Sequence, residues 1–111
     1  MDTRSVAHAY LDAWTSGDQD TVRRLLADDV TVESNLSGPA SRLTAHLLRA
    51  DVITEVYDGG RAVLMYDCLL RKPPGAIRTV DYLDVEDGRI VRIRRVYDVA
   101  ALRRLLPEFD G

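Results

Sequence analysis

RTVDYLDVEDGRIVRIRRVY, residues Arg78 to Tyr97, sets two runs of alternating apolar and polar residues on either side of Asp87-Gly88. An Asp-Gly pair flanked in this way predicts a β-hairpin. Side chains of a strand alternate between its faces. On the first strand Thr79, Asp81, Leu83 and Val85 share the more apolar face, against Arg78, Val80, Tyr82, Asp84 and Glu86. On the second, Val91, Ile93, Arg95 and Tyr97 form the inner set and Ile90, Arg92, Arg94 and Val96 the outer. Each inner face thus carries a single charge, Asp81 on one strand and Arg95 on the other. A three-residue loop with Gly88 left-handed would pair Val85 with Arg89 and put Asp81 opposite Ile93, diagonal to Arg95. A two-residue loop would set one strand's inner face against the other's outer face, so the longer loop is expected.

Outward from the hairpin the pattern is helices first, strands after. Val6, Tyr10 and Trp14 recur every four residues, with Ala7, Leu11 and Ala13 beside them, predicting an amphipathic helix over 3–15 that Gly17 ends. Asp18 is the expected cap of a second helix with Val22, Leu25 and Leu26 as its apolar stripe, stopped by Asp28-Asp29. Val30, Val32 and Ser34 then alternate with Thr31 and Glu33 as a first strand whose inner face ends in a hydroxyl. Residues 40–50 suggest a short third helix burying Leu43, Leu47 and Leu48, followed by strands at 51–57 and 61–70. Arg71-Lys72-Pro73-Pro74-Gly75 is a loop, since neither proline could donate within a central ladder. Asp98 should cap a closing helix over 99–106 that Pro107 terminates. This order predicts an α+β fold: a strongly bent, mainly antiparallel sheet with the N-terminal helices packed on its concave face, together forming a cone. Residues 1–111 are expected to be one domain, since 111 residues leave no room for a second core.

Net charge is −3 and the isoelectric point about 5.3, which disfavours nucleic acid or an anionic membrane as partner. The arginines at 89, 92, 94 and 95 are interspersed with, or adjacent to, acidic residues at 81, 84, 86, 87 and 98, the pattern of a solvated, salt-bridged surface. Cys68 is the only cysteine, which fits a reducing compartment, and the amino terminus MDTRSVAHAY has no apolar segment of the secretory kind; a cytoplasmic location is expected. No run approaches a membrane span. His8 and His46 are isolated, so neither a metal nor a cofactor is expected.

AYLDAWTSGDQDTVRRLLADDVTVES at 9–34, together with DYLDVEDGRIVRIRRVYD at 81–98, resembles the SnoaL-like branch of the nuclear transport factor 2-like superfamily. That resemblance covers most of the chain. It implies the cone-shaped α+β fold, and relatives that include ketosteroid isomerases, polyketide cyclases, epoxide hydrolases and domains without known catalysis, so fold alone does not choose an activity. In the isomerases a tyrosine and a protonated aspartic acid form an oxyanion hole beside an aspartate base, one of the handful of systems from which the rule of environment-tuned carboxyl groups was drawn. The tyrosine's V-x-x-x-Y context matches Val6 to Tyr10, and the acid's position before the last strands matches Asp81. Where the base follows a Val-Glu pair at the end of the first strand, this chain has Ser34, which departs from the isomerase pattern. The segment from Ser34 to Asp51 is also shorter than the family's, by about two helical turns.

Tyr10 and Asp81 are therefore the candidate catalytic residues, and Trp14, Ser34, Leu83, Ile93 and Arg95 the candidate ligand-binding ones. Each carries a second reading. Asp81 is either a carboxyl group altered by burial or the ion-pair partner of Arg95. Tyr10 and Trp14 either face a ligand or fill the core. The partner implied is a small apolar or aromatic ligand, of ketone or polyketide type, in an apolar pocket. The alternative is a non-catalytic module whose pocket its own side chains fill. The outer face, with Val80, Tyr82, Ile90 and Val96, is apolar enough to suggest a homodimer.

Overall fold

The computed structural model describes residues 1–109. Helix α1 (Thr3–Ser16) opens where Asp2 accepts a hydrogen bond from Ser5 N at 2.7 Å and closes at Gly17, whose φ of 83° suits a left-handed cap. Asp18 caps α2 (Gln19–Leu25) through Thr21 N. Next come β1 (Leu26–Ser34), the single turn α3 (Ser41–Thr44), and four strands: β2 (Leu47–Asp58), β3 (Arg61–Leu70), β4 (Gly75–Glu86) and β5 (Arg89–Tyr97). Helix α4 (Val99–Leu105), capped by Asp98, and a turn of 3₁₀ helix (Pro107–Phe109) complete the described chain.

The strands form one open sheet in the order β1-β5-β4-β3-β2, antiparallel except that β1 runs parallel to β5. This is the α+β cone expected from the sequence. Register breaks in β1, twice in β2, and in β5 bend the ladder, since a bulged strand twists more strongly. Alternation then turns Ala62, Leu64, Tyr66, Cys68 and Leu70 of β3, and Ile77, Thr79, Asp81, Leu83 and Val85 of β4, into the cone. There they meet Val6, Tyr10 and Trp14 of α1, all buried.

Four expectations are corrected. Asp87 and Gly88 both have positive φ, 53° and 76°, so the hairpin closes through two residues, a turn whose twist matches that of the strands. Parity is restored by a bulge at Val91: Val85 pairs with Ile90 and Asp84 with Arg92, and Asp81 consequently lies directly opposite Arg95. Ile90 moves from the outer face to the core and is fully buried. Residues 40–50 are not one helix; α3 ends at Thr44, because Arg49 and Ala50 find ladder partners in Leu69 and Cys68. Leu47 remains buried opposite Leu70, but Leu48 is exposed. Strand β1 begins at Leu26 rather than after Asp28-Asp29, which occupy the irregular stretch between the Leu26 and Thr31 pairings.

Candidate functional site

Four elements converge inside the cone. Tyr10 and Trp14 come from one face of α1, a turn apart. β3 supplies Tyr66, β4 supplies Asp81, and β5 supplies Arg95 and Tyr97. Asp81 and Arg95 are 2% and 5% exposed and form a two-pronged ion pair, with Nε at 2.6 Å from Oδ1 and Nη2 at 3.0 Å from Oδ2. Tyr66 donates its hydroxyl to Asp81 Oδ2 at 2.9 Å. Arg95 Nη2 also donates to the Tyr10 hydroxyl at 3.0 Å, and Nη1 to that of Tyr97 at 3.4 Å. The guanidinium carbon lies 4.2 Å from the centre of the Trp14 ring, within cation–π range, and Trp14 meets Tyr66 edge to face.

The electrostatics follow from burial and from these contacts. Burial alone would pull Arg95 down, but the Asp81 carboxylate beside it carries its value well above the usual range. Burial pushes the Tyr66 hydroxyl well up, with the Asp81 charge adding to the effect, and raises Tyr10 against the opposing pull of Arg95. Cys68, deep in the same cone, is pushed up to about 12 by burial and is an inert thiol at neutral pH. The hydrogen bonds to Asp81 come from Arg95, twice, and from the Tyr66 hydroxyl, so both of its oxygens are occupied.

The other predicted residues divide. Ser34 stands beside Arg95 in the parallel ladder, hence on the same face, yet it is exposed because β1 is an edge strand. Its hydroxyl accepts from Leu36 N. Leu83 and Ile93 are a cross-strand pair buried in the core. The sequence did not single out Tyr66 and Tyr97 as partners of the ion pair. Tyr97 had the right parity, and so had Tyr66: Arg61 and Asp67 both lie on the opposite face of β3, a signal that marks the face of Tyr66 as inner.

Two cavities border the cluster. One, of about 170 Å³, lies between α1, α2 and the stretch 39–44, and Tyr10, Ala13, Trp14, Val22, Ala40 and Thr44 line it. Its α3 wall is tied to α1 by the Thr44 hydroxyl, which donates to the Trp14 carbonyl at 2.9 Å. The other, about 90 Å³, is lined by Val32, Ser34, Leu36, Arg95 and Tyr97, and Pro39 and Ala40 wall both. A larger concavity, about 530 Å³, lies over Val80 and Val96 on the outside of the sheet, away from the polar cluster. Among the described residues no group of three or more His, Cys, Asp or Glu side chains could hold a metal ion. No described helix is long and apolar enough to cross a membrane.

A profile of the SnoaL-like domain family matches residues 7–93. No curated protein matches the sequence. Among solved structures, a protein from Kribbella flavida DSM 17836 is 26% identical over 96% of this chain and 94% of its own, with a TM-score of 0.79. IdmH, a candidate polyketide cyclase from Streptomyces antibioticus, is 18% identical over 96% and 99%, with a TM-score of 0.75. An LEH-like epoxide hydrolase from M. tuberculosis is 19% identical over 96% and 90%, with a TM-score of 0.73. The last two likenesses establish the shared fold alone.

Proposed function

The chain belongs to the SnoaL-like domain family, and we propose that it binds a small ligand in the cavity between α1, α2 and α3 without using Asp81 as an acid or base. The observation that carries this reading is the cavity of about 170 Å³ beside Tyr10 and Trp14, immediately outside a fully paired charge cluster. An apolar cavity of about 150 Å³ takes up one benzene ring, so this one suits a single ring. Isomerase- or cyclase-like turnover of a ketone is the less supported form of the reading. It requires a base, and the position the isomerases use for one holds Ser34, while Arg95 and Tyr66 occupy both oxygens of Asp81. A buried free thiol is compatible with the cytoplasmic location this reading assumes.

Thermal unfolding against a panel of single-ring and polycyclic compounds tests it. A ligand present at a hundred times its dissociation constant adds about 2.7 kcal/mol, or roughly 10 °C for a domain of this size. Single-ring compounds should raise the midpoint, and Ala40→Phe, which adds a ring at the cavity wall, should abolish the rise. No shift with any compound would refute the reading.

The outer sheet face favours a second reading, a homodimer. Val56 and Val63 face each other across β2 and β3, and Met65, Val80 and Val96 form a row across three strands; Val56 is 60% and Val96 57% exposed. Ion pairs of Arg78 with Asp67 and of Arg94 with Glu33 flank the strip. Sedimentation should show a dimer at micromolar concentration that Val96→Lys dissociates; a monomeric wild type would refute this reading.

A further inference from the structure

The inner face of the sheet is covered unevenly. Val32 stands opposite Ile93 and Ser34 opposite Arg95, so both face into the cone, yet Val32 is 62% exposed and Ile93 only 2%. The β1 side of the cone therefore opens to solvent, and the cavity of about 90 Å³ lies there. Arg95 and Tyr97 line this cavity and do not line the larger one beside α2.

A guanidinium carries five N–H groups in one plane. The Nε hydrogen and both on Nη2 are taken by Asp81 and the Tyr10 hydroxyl. Nη1 sits at the guanidinium edge turned away from Asp81, and because β5 runs between β4 and β1, that edge is on the Ser34 side. Its one contact is a long donation of 3.4 Å to the Tyr97 hydroxyl, which leaves its second N–H without an acceptor among the described residues. The Tyr97 hydroxyl is an acceptor there, and the Ser34 hydroxyl accepts from Leu36 N, so each has a proton left to donate. Three donors thus border one small cavity whose lining holds no carboxylate. Glu33, the adjacent acid, is turned to the outer face, where it pairs with Arg94 at 3.5 Å. A second guanidinium stands at the rim: a Cβ built on Gly38 would meet Arg42 Nη1 at 3.4 Å.

We propose that this second cavity is a carboxylate site, which takes the head group of a small aliphatic acid against Arg95 Nη1, the Tyr97 hydroxyl and the Ser34 hydroxyl. Hydrogen bonds from such donors strengthen when the acceptor is charged, which favours the acid over its neutral analogues. Asp81 lies beyond the guanidinium, and the exposed rim at Ser34 and Gly38 leaves the second carboxylate oxygen in contact with water. The apolar part of the acid leaves along Val32 and Leu36, the two aliphatic side chains beside the opening. This site does not depend on ring binding in the larger cavity.

The test is a titration of the ¹⁵N-labelled chain at pH 7 and constant ionic strength with isovalerate and with isovaleramide, its neutral analogue of the same shape. Neither probe has a ring. The Leu36 and Gly38 amide signals report on this cavity, and those of Gly17 and Val22 on the larger one. Isovalerate should move Leu36 and Gly38 saturably, leave Gly17 and Val22 in place, and bind about tenfold more tightly than the amide. Ser34→Asp, a change at an exposed position, sets a fixed carboxylate against the same donors and should abolish isovalerate binding. Equal affinity for acid and amide, movement at Val22 in place of Leu36 and Gly38, undiminished binding in Ser34→Asp, or no binding of isovalerate would each overturn the proposal. None of these results bears on the single-ring reading, which the unfolding panel decides separately.

Discussion

Replacing Asp81 by Asn probes the buried charge pair directly. The change keeps the shape but removes the charge, and it presents an N–H₂ group where the pocket offers only donors. Asp81 accepts from Arg95 at 2.6 and 3.0 Å and from Tyr66 at 2.9 Å. The amide oxygen could keep one side of this arrangement, leaving Arg95, at 5% exposure, charged and poorly partnered. Breaking one side of a buried pair costs about 3–5 kcal/mol. Against a typical total of about 5–15 kcal/mol, Asp81→Asn should be marginal at best. Its thermal midpoint should fall by roughly 12–20 °C, at about 4 °C per kcal/mol. Arg95→Met alone should cost a similar amount, by stranding the carboxylate. The double change Asp81→Leu with Arg95→Met strands neither charge, so its cost should fall at least about 2 kcal/mol short of the sum of the costs of Asp81→Leu and Arg95→Met alone. Urea titrations with linear extrapolation supply all the values. A loss below about 1 kcal/mol in Asp81→Asn, or strict additivity in the double variant, would show that the two groups do not depend on each other as described.

Cys68, held at about 12 by burial, should resist a thiol reagent at pH 8 in the native state and react rapidly once unfolded. Because its folded value lies above that of a free thiol, Cys68 contributes stability that is present at neutral pH and lost progressively between about pH 8.5 and 12, so Cys68→Ala should flatten the alkaline limb of a stability profile. Asp18→Ala removes the acceptor for both the backbone and hydroxyl of Thr21 and should cost about 1 kcal/mol in a urea titration, the usual worth of an N-cap. The hydrogen bond from His8 holds Glu55 below the usual carboxylate range, burial opposing and Arg4 assisting. With its folded value below its unfolded one, Glu55 stabilises above about pH 4.3, and that contribution is lost as pH falls through the lowered value. Glu55→Gln should therefore show a shallower acid decline; an unchanged slope would refute the role of the contact.

The periodic segments were legible because one physical variable, burial on one side, governed them. Val6, Tyr10 and Trp14 marked the inner face of α1, and Asp81 and Arg95 stood out as single charges on apolar faces of the hairpin. Where two variables competed, the reading failed. Leu43, Leu47 and Leu48 have helical spacing, but unpaired carbonyl and amide groups on β3 recruit the chain from Leu47 onward into the sheet. In β3 Arg61 and Asp67 share the outer face with Met65, so parity placed Tyr66 inside; what parity did not give was the cross-strand register that brings Tyr66 within reach of Asp81. Ser34 was assigned to the correct face but not to the correct degree of burial, because parity carries no information about whether an edge strand is covered.

The bulge at Val91 has a bearing on how this hairpin can change over time. Val91 is a residue the ladder does not need: if it were lost, Ile90 and Arg92 would become neighbours without altering which residue faces Asp81. What would disappear is the local bend. Curvature and chemistry are thus encoded by separate residues, and the bend at this point can change while the buried charges stay matched.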